Sequence, residues 1–252
     1  MASTLYTVEH ARRLARSRLP RMMFDYIDGG SGDERLYAEN TRAFEKIELM
    51  PRVLTNVADR NLSSHILGME TGLPFGIAPM GMCAISTPGA DSIMAREAAK
   101  RRIPLGVSTA ASATLESIIE QADGYAWFQL YADPAVEFVD ELVGRAEASG
   151  YRVLVLTVDV PISSFRIRDL QSGFGFPMKW GPRQLFDLAC HPRWSLATLA
   201  TGQATEQLPS SQTQMQFGAH VSLSVLINDG QCPRTQERRS AGSVSGVQQQ
   251  WH

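Results

Sequence analysis

Cysteine is scarce in this chain of 252 residues: Cys83, Cys190 and Cys232 lie far apart and are odd in number. That argues against a disulfide framework or a zinc site and fits a reducing compartment. A surplus of one charge is also missing. Lys and Arg number 24 against 26 Asp and Glu, a formal net charge of −2. Nothing in that balance points to nucleic acid, and no finger, RRM or basic-region motif occurs. No apolar run approaches the roughly 18 residues that a membrane-spanning helix requires. There is no Walker loop, dinucleotide fingerprint, nucleophile elbow or zincin helix. The N-terminus lacks an apolar h-region, so it does not read as a secretory signal. Arg12, Arg13, Arg16, Arg18 and Arg21 give it the look of an organellar presequence, but Glu9 and Pro20 fit that poorly. A surface helix with Val8, Ala11, Leu14 and Ala15 inward is the better reading.

What is present is a core. Hydrophobic residues make up 44% of the chain, and a single α/β barrel typically needs about 250 residues. Leu19-Pro20 starts a second helix and Gly29-Gly30 ends it. Ser31 and Glu34 have capping-box spacing for a helix through about Phe44. Residues 1–72 thus read as a helical segment outside the main fold. From Leu73 short apolar runs (Leu73–Ala78, Pro104–Ser108, Ala126–Tyr131, Arg152–Val158) alternate with amphipathic stretches near Ala90–Arg101, Leu115–Gln121 and Pro134–Ser149. Asp133-Pro134 suits the start of the last helix and Gly150 its end. Continuous apolar strands between helices imply parallel strands buried on both faces. Four such units over 73–170 make half a barrel or a small doubly wound sheet, and periodicity alone leaves both open.

Acidic residues thin out over Gln171–Met215, where only Asp187 and Glu206 stand among Lys179, Arg183, Arg193 and many aromatic and aliphatic side chains. This insert, 171–224, reads either as a segment lying on an anionic membrane surface or as a long βα loop over an active site. Val221–Ile227 is the only further strand candidate. The tail, 225–252, is rich in Gln, Ser, Arg and Gly and reads as disordered; a shifted reading frame and a genuine alternative C-terminus are both open for it.

The chemistry-bearing residues sit where the strands end. Gln129 and Tyr131 alternate with apolar neighbours, as do Thr157 and Asp159. Polar side chains two apart at the C-terminal ends of barrel strands share the face on which barrel enzymes build their sites. Strand ends merely meeting solvent would explain any one of these residues; two adjacent strands behaving alike favours a site. Arg166 and Arg168 follow closely, and an arginine fork matches a carboxylate.

Four blocks then carry a resemblance: Leu19–Gly30, Ile77–Gly81, Trp127–Tyr131 and Leu156–Asp159. In order and spacing, from about Tyr6 to Ser224, the chain resembles the FMN-dependent 2-hydroxy-acid dehydrogenases and oxidases, whose fold is a (β/α)8 barrel. Here only the first four βα units are expected. The stretch His191–Leu196, the long insert and Gly81 are similar to the membrane-associated mandelate and L-lactate branch. The resemblance implies FMN as cofactor and oxidation of a small 2-hydroxy acid to the 2-keto acid. By position, Pro79, Met80 and Gly81 would lay backbone along the flavin, and Ser108, Gln129 and Thr157 would contact its ring. Tyr26 would bond the substrate carboxylate, Tyr131 would face its hydroxyl, and Arg166 would lie in the active-site loop. Asp159 would orient a catalytic histidine.

That histidine belongs, in the family, to a block after the sixth strand, together with a carboxylate-clamping arginine; a fifth-strand lysine and later phosphate-binding strands complete the site. The histidines here are His10, His65, His191, His220 and His252, and none stands in such a block. An enzyme of this family, inactive in this form, is one expectation; a non-catalytic flavin-binding or partner protein is the other. A flavodoxin-like module is disfavoured, since it would need a phosphate loop. The resemblance further implies a homo-oligomer for full-length members, and a cytoplasmic location with peripheral contact at the inner membrane face.

Overall fold

The computed structural model describes residues 5–131, 136–157, 164–175, 178, 180–201 and 224–227. Helix α1 (Val8–Arg18) is capped by the Thr7 hydroxyl, which accepts from the His10 amide at 3.0 Å. It buries no residue fully, and Val8 is 86% exposed rather than inward; Ala11, Leu14 and Ala15 are half-buried. Pro20 pre-sets the entry to α2 (Arg21–Asp28), which buries Met22, Met23 and Phe24, and the chain leaves through Gly29 as expected. The Ser31–Glu34 capping box does not form. Glu34 is itself left-handed (φ 59°) ahead of α3 (Arg35–Ala43). Its carboxylate accepts from the Gly30 amide at 3.0 Å and from Arg168 at 2.5 Å. A distant cation has taken the acid that local spacing assigned to a cap.

A hairpin that the sequence did not signal follows. Strands β1 (Ser64–Ile66) and β2 (Met69–Thr71) pair antiparallel around Leu67-Gly68, both with positive φ.

The main sheet carries parallel strands β3 (Ile77–Met80), β4 (Leu105–Ser108), β5 (Ala126–Tyr131) and β6 (Val153–Thr157), side by side in chain order. Helices α4 (Ala90–Arg101), α5 (Leu115–Gln121) and α6 (Val136–Ala148) return between them. The largest core lies where these helices meet one sheet face. Ala95, Ala98, Leu115, Ile118, Leu142 and Ala146 pack there on Leu105, Val107, Ala126, Phe128 and Leu130. A doubly wound sheet reverses its strand order and puts helices on both faces. Unbroken order with helices on one face is instead the first four units of a (β/α)8 barrel.

Strand β7 (Ser224–Ile227) lies along β6, antiparallel, with Val153 opposite Ile227. It covers the open edge of β6, but a barrel's fifth strand would run parallel. Two expectations change here. The strand candidate Val221–Ile227 is met at 224–227, so the expected tail starts after Ile227 and not at 225, while 228–252 lie outside the described residues. The insert is not a bare loop either: α7 (Ile167–Ser172) leads into it, and α8 (Pro182–Cys190) and α9 (Pro192–Thr201) form within it. Pro182 and Pro192 each open a helix, where a missing amide costs nothing. Among the described residues no helix is long and apolar enough to cross a membrane.

Candidate functional site

The C-terminal ends of β3–β6 are set by two backbone devices. The ladder between β3 and β4 slips between the pairs Ile77–Leu105 and Met80–Val107, leaving Pro79, which has no amide to donate, in the irregularity. Opposite it, a Cβ on Gly106 would stand 2.7 Å from the Pro79 backbone nitrogen. Only glycine permits that approach. Past the bulge, Met80 is 46% exposed at the strand end, and Gly81 leads to Met82, whose amide donates to Ala110 O at 2.7 Å.

On β4–β6 the register brings Ser108 beside Gln129, and Tyr131 beside Thr157. These side chains stand on the face away from the helices, since Phe128, Leu130, Leu154 and Leu156 alternate with them and join the helix-side core. Gln129 is 4% exposed and its Nε2 donates to Thr157 Oγ1 at 2.8 Å. The Thr157 hydroxyl, having accepted, keeps its own proton for a further acceptor. Ser108 Oγ accepts from the Ala110 amide at 3.1 Å. Thr109 pins the adjoining loop, donating to Gln129 O at 2.7 Å and accepting from the Tyr131 amide at 3.2 Å.

Tyr26, from the last turn of α2, joins this end. Its ring stacks on Phe174 at 4.3 Å between centroids, and the Arg166 guanidinium lies 5.1 Å from the ring centre. Burial pushes the phenol up to about 12; Arg166 opposes, while Asp169, Tyr131 and Cys83 act with burial. Arg166 is not a free fork. Its Nε donates to Asp169 Oδ2 at 2.5 Å and its Nη2 to the carbonyl of Tyr26. Burial raises the Asp169 pKa in spite of Arg166, and its Oδ1 has no hydrogen-bond partner among the described residues. Arg168 turns away to Asp28 and Glu34, at 2.8 and 2.5 Å, and serves the docking of helices rather than the site. Asp159 lies outside the described residues.

The sequence reading missed a second group behind the strand ends. Asp91, 5% exposed in the first turn of α4, accepts from the Ser112 amide at 3.1 Å and bonds the Cys83 thiol. Ser112 Oγ in turn accepts from the Ala84 amide at 3.2 Å. Asp91 therefore ties the loop after β3 to the loop after β4. Burial raises the pKa of Asp91 and, with Asp91, pushes the Cys83 thiol up to about 12, so the thiol stays protonated and unreactive at neutral pH. An acid just inside a helix start reads as a dipole partner, which is why spacing did not reveal it. Phe174 was likewise visible only as one aromatic residue of the insert.

The donor set has a chemistry of its own. A carboxamide, a hydroxyl with a proton to give, and exposed backbone at Met80–Gly81 line one edge of the sheet end. They suit a flat heterocycle bearing carbonyl oxygens and ring N–H groups, and the isoalloxazine of FMN is such a ring. Among the described residues no His, Cys, Asp and Glu cluster could hold a metal ion.

Comparison with known proteins points to the same cofactor. Residues 15–228 match the model of the FMN-dependent dehydrogenase family. The chain is 37% identical over 214 residues to (S)-mandelate dehydrogenase of Pseudomonas putida, covering 84% of this chain and 54% of that protein. It is 37% identical over 196 residues to a putative L-lactate dehydrogenase of Mycobacterium tuberculosis, covering 77% and 47%. A crystal structure of the monotopic membrane protein (S)-mandelate dehydrogenase superposes with a TM-score of 0.77 at 36% identity, covering 83% of this chain and 57% of that one. The chain spans about half the length of the curated relatives it matches.

Proposed function

The chain belongs to the FMN-dependent dehydrogenase family, and from that membership we propose that it supplies the flavin cradle and the first substrate contacts of an enzyme oxidising a mandelate- or lactate-like 2-hydroxy acid to its 2-keto acid. The observation that carries the reading is the buried Gln129–Thr157 pair at the strand ends, on the same end of the sheet as Tyr26 and Tyr131.

Pro79, Met80, Gly81, Ser108, Gln129 and Thr157 would hold the flavin ring. Bound FMN supplies the two-electron redox chemistry. Tyr26, protonated up to about pH 12, donates its phenolic hydrogen to the substrate carboxylate. Arg166, with Nε and one terminal nitrogen committed, has its other terminal nitrogen for the substrate and adds positive charge beside it. Tyr131 meets the substrate hydroxyl. Asp159 orients the histidine that takes the hydroxyl proton.

Among the described residues no histidine takes that place, and His220 and His252 lie outside them. His10 stacks on Tyr6 in α1, His65 lies in β1, and His191 bonds Asp187 O at the end of α8. A general base contributes about 10²–10⁴-fold, so a polypeptide of this sequence is a poor catalyst by itself. That same observation favours the second reading, a non-catalytic flavin-binding or partner protein. Anaerobic reduction of added FMN by mandelate, lactate or glycolate tests the pair, with an intact relative as control. Slow reduction by this polypeptide fits the roles assigned above, and a rate near the control's means that another residue supplies the base.

The α8–α9 pair is proposed to rest on an anionic membrane. Leu185, Phe186, Leu196 and Leu199 are 56–79% exposed, with Arg183 and Arg193 on the same helices.

A further inference from the structure

Away from the strand-end site, a groove of about 970 Å³ runs between α1, the turn Ser86–Pro88 and the α8–α9 pair. That volume is at the upper end of the roughly 300–1,000 Å³ typical of small-molecule sites. Leu14, Ala15, Leu19, Trp194 and Ala197 give it a long apolar wall. Trp194 is held in place by its own Nε1, which donates to Ile85 O at 2.9 Å.

The charges around the groove are of one sign. Arg18, His191 and Arg193 line it, and no Asp or Glu does. Elsewhere on α1 and α2, Arg12 is answered by Asp28 at 2.6 Å and Arg21 by Asp25 at 3.3 Å, while Arg13 and Arg16 lie outside the groove lining and have no ion pair among the described residues. His191 is answered too, by Asp187. Arg18 and Arg193 are exposed and make no ion pair among the described residues. An apolar trough edged by two unanswered guanidinium groups is complementary to a molecule with a hydrocarbon body and an anionic head.

We propose that this groove binds a single-chain amphiphile with a carboxylate head, a fatty acid of medium length. Its chain lies against Leu14, Ala15, Leu19 and Trp194, and its head is met by Arg18 and Arg193. The proposal does not rest on the flavin site; it shares Arg193 with the proposed membrane face, and one-to-one binding lost in Ala197→Trp distinguishes the groove from that face.

The intact protein is titrated with dodecanoate below its micellar concentration, by calorimetry and by tryptophan emission, the latter repeated in Trp194→Phe. One molecule per chain should bind, with the emission change lost in Trp194→Phe. Affinity should fall at least tenfold in the Arg18→Ala/Arg193→Ala double variant and vanish in Ala197→Trp, which fills the groove from its exposed side. Thermal melts check that each variant is folded; should Ala197→Trp fail to fold, Ala15→Trp replaces it. Dodecyltrimethylammonium, with the same chain and the opposite charge, should not bind. Equal binding of the cationic amphiphile would overturn the proposal, as would binding indifferent to both variants. Absence of any dodecanoate binding also overturns it, because the groove is then filled by another segment of the chain or by solvent alone.

Discussion

Replacing Asp28 by Asn isolates one anion on which the docking of the N-terminal helices depends. The Asp28 side chain is 8% exposed and receives Arg12 at 2.6 and 2.9 Å and Arg168 at 2.8 Å. Asn keeps the shape, loses the charge and turns a donor toward a guanidinium. Hydrogen bonds to charged groups contribute about 1.5–3 kcal/mol each. Arg12 is 41% and Arg168 32% exposed, so solvent screening discounts them. A net loss of about 2–3 kcal/mol is expected, or roughly 5–10 °C in Tm for a chain of this size. The pH dependence gives a sharper check. Arg12, then Arg168, hold the Asp28 pKa below the usual carboxylate range. Its contribution is therefore present above the unfolded value, near 3.9, and lost as pH falls through the native one. Urea melts of both proteins at neutral and acid pH should show a gap that closes in acid. A gap below about 0.5 kcal/mol at neutral pH, the level of an ordinary surface change, or one unchanged in acid, would refute the reasoning.

Two further outcomes are expected. Tyrosinate absorbance should show Tyr26 ionising near 12 rather than 10. Because the folded pKa is raised, stability is unaffected below the unfolded value and falls as pH climbs from 10 to 12, and Tyr26→Phe should lessen that fall. The chain should co-sediment with anionic vesicles through α8–α9; Phe186→Ser with Leu199→Ser should weaken binding about a hundredfold, since burying each apolar side chain contributes at least about 1.5 kcal/mol, and unchanged binding would sink the membrane reading.

Much of the barrel was legible because buried strands and amphipathic helices leave strong periodic patterns. Ala90–Arg101, Leu115–Gln121 and Ala126–Tyr131 coincide with their elements. The first strand was misplaced for a physical reason. Leu73–Gly76 is apolar, yet Phe75 is 57% exposed, and the Gly76 Cα lies too near Pro104 O for a side chain. Pairing with β4 therefore starts at Ile77. Ladder pairing, unlike apolarity, depends on a partner that the local sequence does not contain. The site divides the same way. Gln129 and Thr157 were visible from alternation along two strands, whereas the Asp91–Ser112 tie and the bond from Arg166 to the Tyr26 carbonyl depend on segments that meet only after folding. The insert left a membrane-surface segment and a long loop both open, and its helices show in the sequence only as Pro182 and Pro192 at two helix starts.

The central claim is that the strand-end face holds the flavin ring while the phosphate contacts of the family lie in its later strands. Paired titrations of this chain with FMN and riboflavin, read by flavin fluorescence, test it directly. The account predicts weak binding of comparable strength for both, lost in Gln129→Leu and reduced in Thr157→Val. Tight binding that requires the phosphate, or ring binding indifferent to both substitutions, would contradict it.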